Sequence, residues 1–241
     1  MRNPRIYIDT HISVDQILAL DKAPSHYLGS VLRMKEKDQV RVFNGQGGYY
    51  QCDVHFANKK NVSLNVLQFF DESRESNLQT HIGLGMSLGD RMEYAIQKAS
   101  ELGVTQITPL ITSRSELKLK GEKQQKKLSR WQQVAISSCE QNGRNEVPTI
   151  NTPMLIEQFV ALEKNSCKLV LHHRDATNIK DIEQNKNVCA LIGPEGGLTQ
   201  DEIELATKHG FTATTLGPRI LRTETAPIVL LSVLQTLWGD F

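Results

Sequence analysis

The chain lacks the features of a membrane or secreted protein. No apolar run in its 241 residues approaches the roughly 20 residues that a membrane-spanning helix requires. Residues 1–9 contain no apolar core of the kind found in a secretory signal peptide. These absences favour a cytoplasmic protein that binds no membrane. With 39% hydrophobic and 23% charged residues, the chain can bury the cores of two modest domains.

Cysteine is also scarce. Cys52, Cys139, Cys167 and Cys189 are widely spaced and form no Cys-x-x-Cys pair. The sequence therefore offers neither the usual zinc ligand spacing nor a redox pair. Free cysteines in apolar or mixed surroundings are typically small buried side chains, so we expect structural cysteines and no metal.

Charge is nearly balanced, with a net value of +1, which argues against a protein whose whole surface grips nucleic acid. The cations are nevertheless clustered. Arg33, Lys35 and Lys37 form one group, and six cations within residues 118–130 form another. Such groups are usually solvated faces, but they are also the pattern that contacts RNA phosphates. The sequence alone leaves both roles open.

Two patterns of hydrophobicity divide the chain. Residues 5–70 contain short alternating segments typical of strands, a hairpin turn at 44–48 and a helical pattern over 24–34. From residue 80 onwards strands and helices alternate, with helices predicted over 90–102, 122–142 and 224–238, which predicts a mainly parallel sheet covered by helices. The polar segment 71–77 is the predicted linker. We therefore expect domains over 1–72 and 73–241.

Two glycine-rich segments near the C-terminal end are the strongest functional signal. Residues 193–197 have the sequence Gly-Pro-Glu-Gly-Gly, and residues 216–226 have the sequence Leu-Gly-Pro-Arg-Ile-Leu-Arg-Thr-Glu-Thr-Ala. Each follows an apolar run and precedes a predicted helix. Glycine lets a ligand approach the backbone, and loops at the carboxyl ends of neighbouring strands form the usual crevice of an open α/β sheet. The pattern predicts one ligand site built from both loops.

Three other patterns are similar to known sites, but each lacks a feature that the site requires. The segment 83–89 has the form Gly-x-Gly-x-x-x-Gly, one residue longer than a dinucleotide-binding turn. The His-Arg-Asp triplet at 173–175 lacks the asparagine and glycine-rich loop of a protein kinase. His172 and His173 are strand neighbours that point to opposite faces, so they do not form a metal site.

The two C-terminal segments, together with residues 31–33, 98–104, 112–115 and 139–144, closely resemble the ribosomal RNA small subunit methyltransferase E family of SPOUT methyltransferases. The resemblance extends from Pro4 to Gly239. It implies an α/β fold with a SPOUT-type trefoil-knotted, mostly parallel sheet and helices on both faces, plus an N-terminal PUA-like β-barrel that binds RNA. It also implies a homodimer with S-adenosylmethionine as methyl donor. The family methylates N3 of a uridine in 16S ribosomal RNA of the small ribosomal subunit.

The resemblance implies which residues hold the cofactor. They lie at the ends of three strands and are Leu171, His172, Ile192, Gly193, Glu195, Gly196, Gly197, Leu216, Gly217, Ile220, Leu221 and Arg222. Apolar walls and backbone amides suit an adenine ring. Core packing is the alternative role for the leucines.

Methyl transfer to N3 requires that the uracil lose a proton and that its developing negative charge be stabilised. Arginine is always charged and presents a fork of donors. Arg222 is therefore the first candidate for contacting the uracil carbonyl oxygens, and Arg219 is the second. Glu195 or Glu224 is the candidate base, although either could instead cap a helix N-terminus.

An RNA substrate gives the clustered cations a second interpretation, as phosphate contacts. The candidates are Arg33, Lys35, Arg114, Lys123, Lys126, Lys127 and Arg144. Arg144 lies in a family motif and could also reach the cofactor site of the partner subunit. Two alternatives stay open: a non-catalytic dimeric RNA-binding protein, and a SPOUT methyltransferase that acts on another RNA.

Overall fold

The computed structural model describes residues 3–58, 61–117, 119–172 and 176–241. The chain forms two compact units. The first consists of Met1–Glu75 together with Cys139–Val147, and the second consists of Ser76–Ser138 together with Pro148–Phe241. No helix among the described residues is both long enough and apolar enough to cross a membrane.

The first unit is built on a five-stranded sheet of order β1-β3-β4-β5-β2. Its strands are β1 Arg5–Tyr7, β2 Ile17–Ala19, β3 Gln39–Phe43, β4 Tyr49–Ala57 and β5 Val62–Phe70. Strands β3 and β4 pair antiparallel on either side of the turn at 44–48, as expected of a hairpin. One face of the sheet covers a core that includes Leu28, Val40 and Leu64.

The helical pattern over 24–34 forms a shorter and less regular element than expected. Helix α1 covers Lys22–His26 and continues into a π-helical turn, Tyr27–Val31. Leu28 is fully buried and packs against the sheet. Tyr27, Val31 and Leu32 are exposed, however. The apolar spacing therefore identifies only part of the buried face, and the element ends three residues earlier than expected.

The segment Cys139–Val147 completes the first unit through contacts that the sequence pattern does not indicate. Arg144 Nε donates to Glu75 Oε2 at 2.7 Å, and Glu75 Oε1 accepts from the amide of Asn145 at 2.9 Å. Cys139 is buried against Phe43 and Tyr49. The segment thus closes a small aromatic core at one end of β3 and β4.

The second unit contains an eight-stranded sheet in which every recorded pairing is parallel. Its order is β11-β13-β10-β12-β6-β7-β8, and β9 pairs with β7. The strands are β6 Gln79–Gly85, β7 Gln106–Ile111, β8 Thr149–Ile150, β9 Met154–Leu155, β10 Cys167–Leu171, β11 Thr177–Asn178, β12 Asn187–Ile192 and β13 Thr212–Thr215.

Among the described residues, five α-helices accompany this sheet, namely α2 Arg91–Glu101, α3 Gly121–Asn142, α4 Ile156–Leu162, α5 Gln200–Lys208 and α6 Ala226–Trp238. Helices α2 and α3 agree closely with the sequence-based bounds. Helix α4 was not anticipated, since its seven residues are too few for a clear helical period. Helix α6 begins two residues later than expected, with Pro227 in its first turn.

A half-buried polar network joins His81 of β6, Thr108 of β7 and Glu163. His81 Nδ1 is 2.7 Å from Glu163 Oε2, and the other ring nitrogen is 2.8 Å from Thr108 Oγ1. Glu163 Oε1 accepts from the amides of Lys164 and Asn165. Burial opposes ionisation of Glu163, but the hydrogen bonds from His81 and Asn165 hold the pKa of its carboxyl at about 2.

Candidate functional site

The two glycine-rich loops meet in the second unit, at the carboxyl ends of β10, β12 and β13. Strand β10 lies between the other two, so the loops come from strands that flank a common neighbour rather than from a directly paired couple. Together they enclose a cavity of about 570 Å³. All twelve residues that the family resemblance assigns to the cofactor line this cavity.

The loop after β12 is a tight turn whose shape is fixed from within. The amide of Gly197 donates to the carbonyl of Pro194 at 2.8 Å, and Gly197 has a φ of +69°, which disfavours side chains. The loop ends at Thr199, the N-cap of α5. Thr199 Oγ1 accepts from the amide of Glu202, and Glu202 Oε2 accepts from the amide of Thr199. This reciprocal pair satisfies two otherwise unpaired amides.

The same loop packs against the end of β6. A Cβ atom on Gly85 would collide with the backbone nitrogen of Pro194. Gly85 belongs to the 83–89 motif, whose spacing is wrong for a dinucleotide. Its glycine is required for a different reason, the close approach of two backbones. Gly85 therefore shapes the loop that lines the cavity without lining the cavity itself.

The loop after β13 is tied to the loop after β12 by one buried hydroxyl. Thr223 is 7% exposed, and its Oγ1 donates to the carbonyl of Gly193 at 2.8 Å. The carboxyl end of β10 is fixed in turn, since the amide of His172 donates to the carbonyl of Thr214. Sequence reasoning missed the role of Thr223 because only the folded chain brings it to Gly193.

The two candidate bases differ in their surroundings. Glu195 Oε1 accepts from Arg91 at 2.9 Å and from the amide of Leu88 at 3.0 Å. Burial opposes ionisation, but hydrogen bonds from its own amide and from Arg91 hold the pKa of Glu195 below its usual value. Its carboxylate therefore already accepts hydrogen bonds within the protein and is a weak base.

Glu224 also faces the cavity, but one of its carboxylate oxygens accepts no hydrogen bond from the described residues. Glu224 Oε2 is buried and has no hydrogen-bond partner among the residues that the structure describes. A buried carboxylate oxygen without a donor is costly in a folded protein. Such an oxygen is suited to accept a hydrogen bond from a bound ligand.

Two arginines lie at the mouth of the cavity. Arg219 and Arg222 both line it and are exposed. Ile220, between them, is 79% exposed. The loop thus brings two permanent positive charges to the edge of the cavity that contains Glu224.

The residues predicted to contact RNA form three groups: exposed cations, one lysine beside a glutamate, and two arginines with hydrogen-bond partners in the chain. Arg33 and Lys35 are exposed on the first unit, and Lys123 and Lys126 are exposed on the second. Lys127 is 3.6 Å from Glu93 and half-buried. Lys118, which belongs to the same cluster, and the triplet 173–175 lie outside the described residues.

The other two predicted RNA contacts have specific partners within the chain. Arg144 has a side chain only 6% exposed and forms an ion pair with Glu75 inside the first unit, which gives it a structural role there. Arg114 lines the cavity and donates to the carbonyl of Gly196 at 2.7 Å.

Family models match both parts of the chain. The RNA methyltransferase domain matches residues 74–235, and the RNA methyltransferase PUA domain matches residues 20–67. Together with the parallel sheet and its two glycine-rich loops, these matches define an RNA methyltransferase with an N-terminal PUA-like domain. The predicted fold class is thereby confirmed, while the trefoil knot stays a prediction.

Full-length relatives are more specific. The ribosomal RNA small subunit methyltransferase E of Buchnera aphidicola is 35% identical over 99% of this chain and 95% of its own. That of Bacillus subtilis is 33% identical over 89% and 90%. Among solved structures, a ribosomal RNA small subunit methyltransferase E from Neisseria gonorrhoeae, bound to S-adenosyl methionine, is 35% identical with a TM-score of 0.93 over 100% of both chains. A Legionella pneumophila methyltransferase in complex with SAM is 40% identical with a TM-score of 0.97, again over 100% of both chains. The chain belongs to the ribosomal RNA small subunit methyltransferase E family.

Proposed function

We propose that the protein transfers the methyl group of S-adenosylmethionine to N3 of a uridine in the 16S RNA of the small ribosomal subunit. The observation that carries the proposal is the cavity at the ends of β10, β12 and β13, in which the family's cofactor residues converge. The two relatives with TM-scores of 0.93 and 0.97 bind this cofactor. A ribosomal substrate also implies that the protein works in the cytoplasm.

The residues of the cavity fit an adenosyl group. Leu171, Ile192 and Leu221 provide apolar walls, and the glycine-rich loops present backbone amides and carbonyls that can recognise the edge of a base. Glycines at 193, 196 and 197 keep that backbone accessible. When bound, S-adenosylmethionine supplies an electrophilic methyl group.

The chain's own task is to present N3 of uracil as an anion. In this proposal Glu224 removes the N3 proton, because its Oε2 is the cavity carboxylate oxygen without a partner among the described residues. Glu195 instead holds Arg91 and the amide of Leu88. Arg222, with Arg219 as the second candidate, donates to the uracil carbonyl oxygens on which the negative charge develops.

The target base must leave its stack before N3, an atom of the Watson–Crick edge, can reach the cavity. We assign the surrounding phosphates to the exposed cations Arg33 and Lys35 of the first unit and Lys123 and Lys126 of α3. Lys127 contributes less to RNA binding in this proposal, since Glu93 lies close to its ammonium group.

We also propose that the protein is a homodimer that associates through α6. The inner face of α6 buries Leu230 and Leu234 in the second unit. Val229, Val233 and Leu237 recur every four residues on another face and are half-buried or exposed. An apolar stripe of this kind is typical of a surface that packs against a second copy.

Calorimetric titration with S-adenosylmethionine tests the proposed function directly. We expect binding by the wild type, loss of binding in Gly196→Val, and retained binding in Arg222→Ala with turnover lowered by about 10²-fold or more. The Gly196→Val side chain would press against Arg114, whose Cβ is 3.2 Å from the added Cβ position. A wild type that binds no S-adenosylmethionine and methylates no small subunit would favour the non-catalytic RNA-binding alternative.

A further inference from the structure

The loop that follows β7, residues 112–115, is a rigid turn. Thr112 and Ser115 are buried, at 7% and 9% exposure. The amide of Thr112 donates to Ser115 Oγ at 3.1 Å, and the amide of Ser115 donates to the carbonyl of Thr112 at 3.1 Å. The two residues between them, Ser113 and Arg114, are therefore presented outward in a fixed position.

A buried carboxylate joins this turn to the loop after β12, which lines the proposed cofactor site and is called the cofactor loop below. Glu202 is 4% exposed. Its Oε1 accepts from the amide of Ser113 at 2.7 Å, and its Oε2 accepts from the amide of Thr199 at 2.8 Å. One side chain thus holds the backbones of two loops. Charge-assisted hydrogen bonds of this length are among the stronger ones in proteins.

Arg114 makes the second connection between the two loops. One of its terminal nitrogens, Nη1, donates to the carbonyl of Gly196 at 2.7 Å and approaches the carbonyl of Leu198 at 3.4 Å. The alkyl part of the side chain lies against Gly196, where an added Cβ would be 3.3 Å from Arg114 Cδ. Arg114 therefore supports the loop that lines the proposed cofactor site.

The guanidinium has donors to spare. Only Nη1 takes part in the hydrogen bonds that Arg114 makes with described residues, and the residue is exposed. Nε and the second terminal nitrogen can donate together to two oxygens of one phosphate, the geometry that arginine favours. The same side chain can thus hold the cofactor loop and an RNA phosphate at once.

We propose that Arg114 couples RNA binding to cofactor binding. The inference rests on the proposed function, since it requires that the cavity binds the cofactor and that the substrate is RNA. A phosphate bound at Nε and the second terminal nitrogen restricts the side chain to the rotamer that supports Gly196. The phosphate thereby holds the contact between Arg114 and Gly196, and this contact keeps the loop in the shape that lines the cavity. Because coupling is reciprocal, the cofactor tightens RNA binding by the same factor.

Equilibrium dialysis with S-adenosylhomocysteine, which cannot donate a methyl group, measures the coupling. Its Kd is determined for the full-length protein with and without saturating small ribosomal subunits that lack the modification. We expect the subunits to tighten binding to the wild type by about fivefold or more, within the usual range of coupling between sites. In Arg114→Ala we expect the ratio of the two Kd values to fall to about one.

Two further variants distinguish a loss of coupling from the effect of losing a positive charge and from a general effect of mutation. Arg114→Lys keeps the charge but lacks the fork of donors, so we expect it to retain most of the affinity for the subunit and to lose the coupling. Lys208→Ala removes an exposed cation at the end of α5 and is expected to keep the wild-type ratio.

The outcomes are distinct. Weaker S-adenosylhomocysteine binding in Arg114→Ala with an unchanged ratio would reduce Arg114 to a structural support and overturn the inference. A wild type that methylates the subunit but shows no coupling overturns it as well. A wild type that neither binds S-adenosylhomocysteine nor methylates the subunit overturns the proposed function first, and the inference with it.

Discussion

Two glutamates line the same cavity, and their neighbours give them different chemistry. Arg91 and the amide of Leu88 occupy Glu195 and stabilise its ionised form. Glu224 has a buried oxygen without a donor among the described residues. The sequence could name both residues, since each lies in a glycine-rich loop. It could not rank them, because Arg91 belongs to a different element and approaches Glu195 only in the folded chain.

Replacing Glu224 with glutamine tests the ranking. We expect Glu224→Gln to lower kcat by about 10²-fold or more, as the loss of a general base does, while the Kd for S-adenosylmethionine changes little. Glu195→Gln is the matched variant and is expected to reduce kcat much less. Steady-state methylation of small subunits gives kcat for both variants, and calorimetry gives the Kd values. The reverse order of the two effects would reassign the base to Glu195.

The half-buried pair of His81 and Glu163 predicts a pH dependence of stability. The pKa of Glu163 is lowered from 4.5 to about 2 in the folded chain. Its ionised form therefore stabilises the fold above pH 4.5, and this stabilisation is lost as the pH falls toward 2. Between pH 5 and pH 3 we expect a loss of about 2 kcal/mol from this group.

Urea unfolding of the wild type and Glu163→Gln at these two pH values measures that loss. The variant is expected to be less stable at pH 5 and to lack this part of the decline at pH 3. Glu157→Gln, an exposed change in α4, the helix that ends just before Glu163, should keep the wild-type decline. An equal decline in Glu163→Gln and the wild type would show that the His81 contact does not stabilise the charged carboxyl.

Among the elements, strands and helices with a clear period are those that the sequence predicts well. The sequence predicts helix α3 over 122–142, and the helix covers Gly121–Asn142, because its apolar residues recur at helical spacing over several turns. The two glycine-rich loops were also found from composition. Their mutual contacts were not, since the bonds from Thr223 to Gly193 and from Arg114 to Gly196 join loops far apart in the chain.

The approach of β6 to the loop after β12 gives a prediction for Gly85→Ala. The added Cβ would collide with the backbone of Pro194, so the loop must move. We expect the Kd for S-adenosylmethionine to rise at least tenfold, the effect of about 1.4 kcal/mol of lost binding. Gly89→Ala is the control, because Gly89 has a φ of +63° but open space around its Cβ position. It should lower stability slightly and leave cofactor affinity near that of the wild type. Calorimetry and thermal unfolding measure the two effects.

At the scale of the whole molecule, the apolar face of α6 in a single chain is the basis for the proposed association of two copies. Val233→Asp places a charge in the middle of the apolar stripe of Val229, Val233 and Leu237. We expect it to convert the proposed dimer to a monomer and to reduce methylation, because burying an unpaired carboxylate is unfavourable. Sedimentation velocity measures the change. Thr207→Asp, at an exposed site on α5, is expected to stay dimeric. A wild type that sediments as a monomer would contradict the proposal.

The sequence predicts two domains, over 1–72 and 73–241, because alternating strands are followed from residue 80 by alternating strands and helices. The return of the chain to the first unit was not foreseeable. The contacts of Cys139–Val147 with Glu75 and Phe43 join residues that no local pattern connects. Long-range contacts of this kind follow from the fold rather than from the segment's own sequence.

The discontinuous first unit has a consequence for synthesis. Strands β1 to β5 emerge from the ribosome first, but the aromatic core around Phe43 and Tyr49 also needs Cys139 and Val147. The whole of Ser76–Ser138 is made in between. The nascent N-terminal part therefore cannot complete its core until much of the second unit has been translated, and part of that core stays exposed until then. Slow translation between Glu75 and Cys139 would prolong this exposure. In a chain truncated at Glu75 the aromatic core would stay exposed.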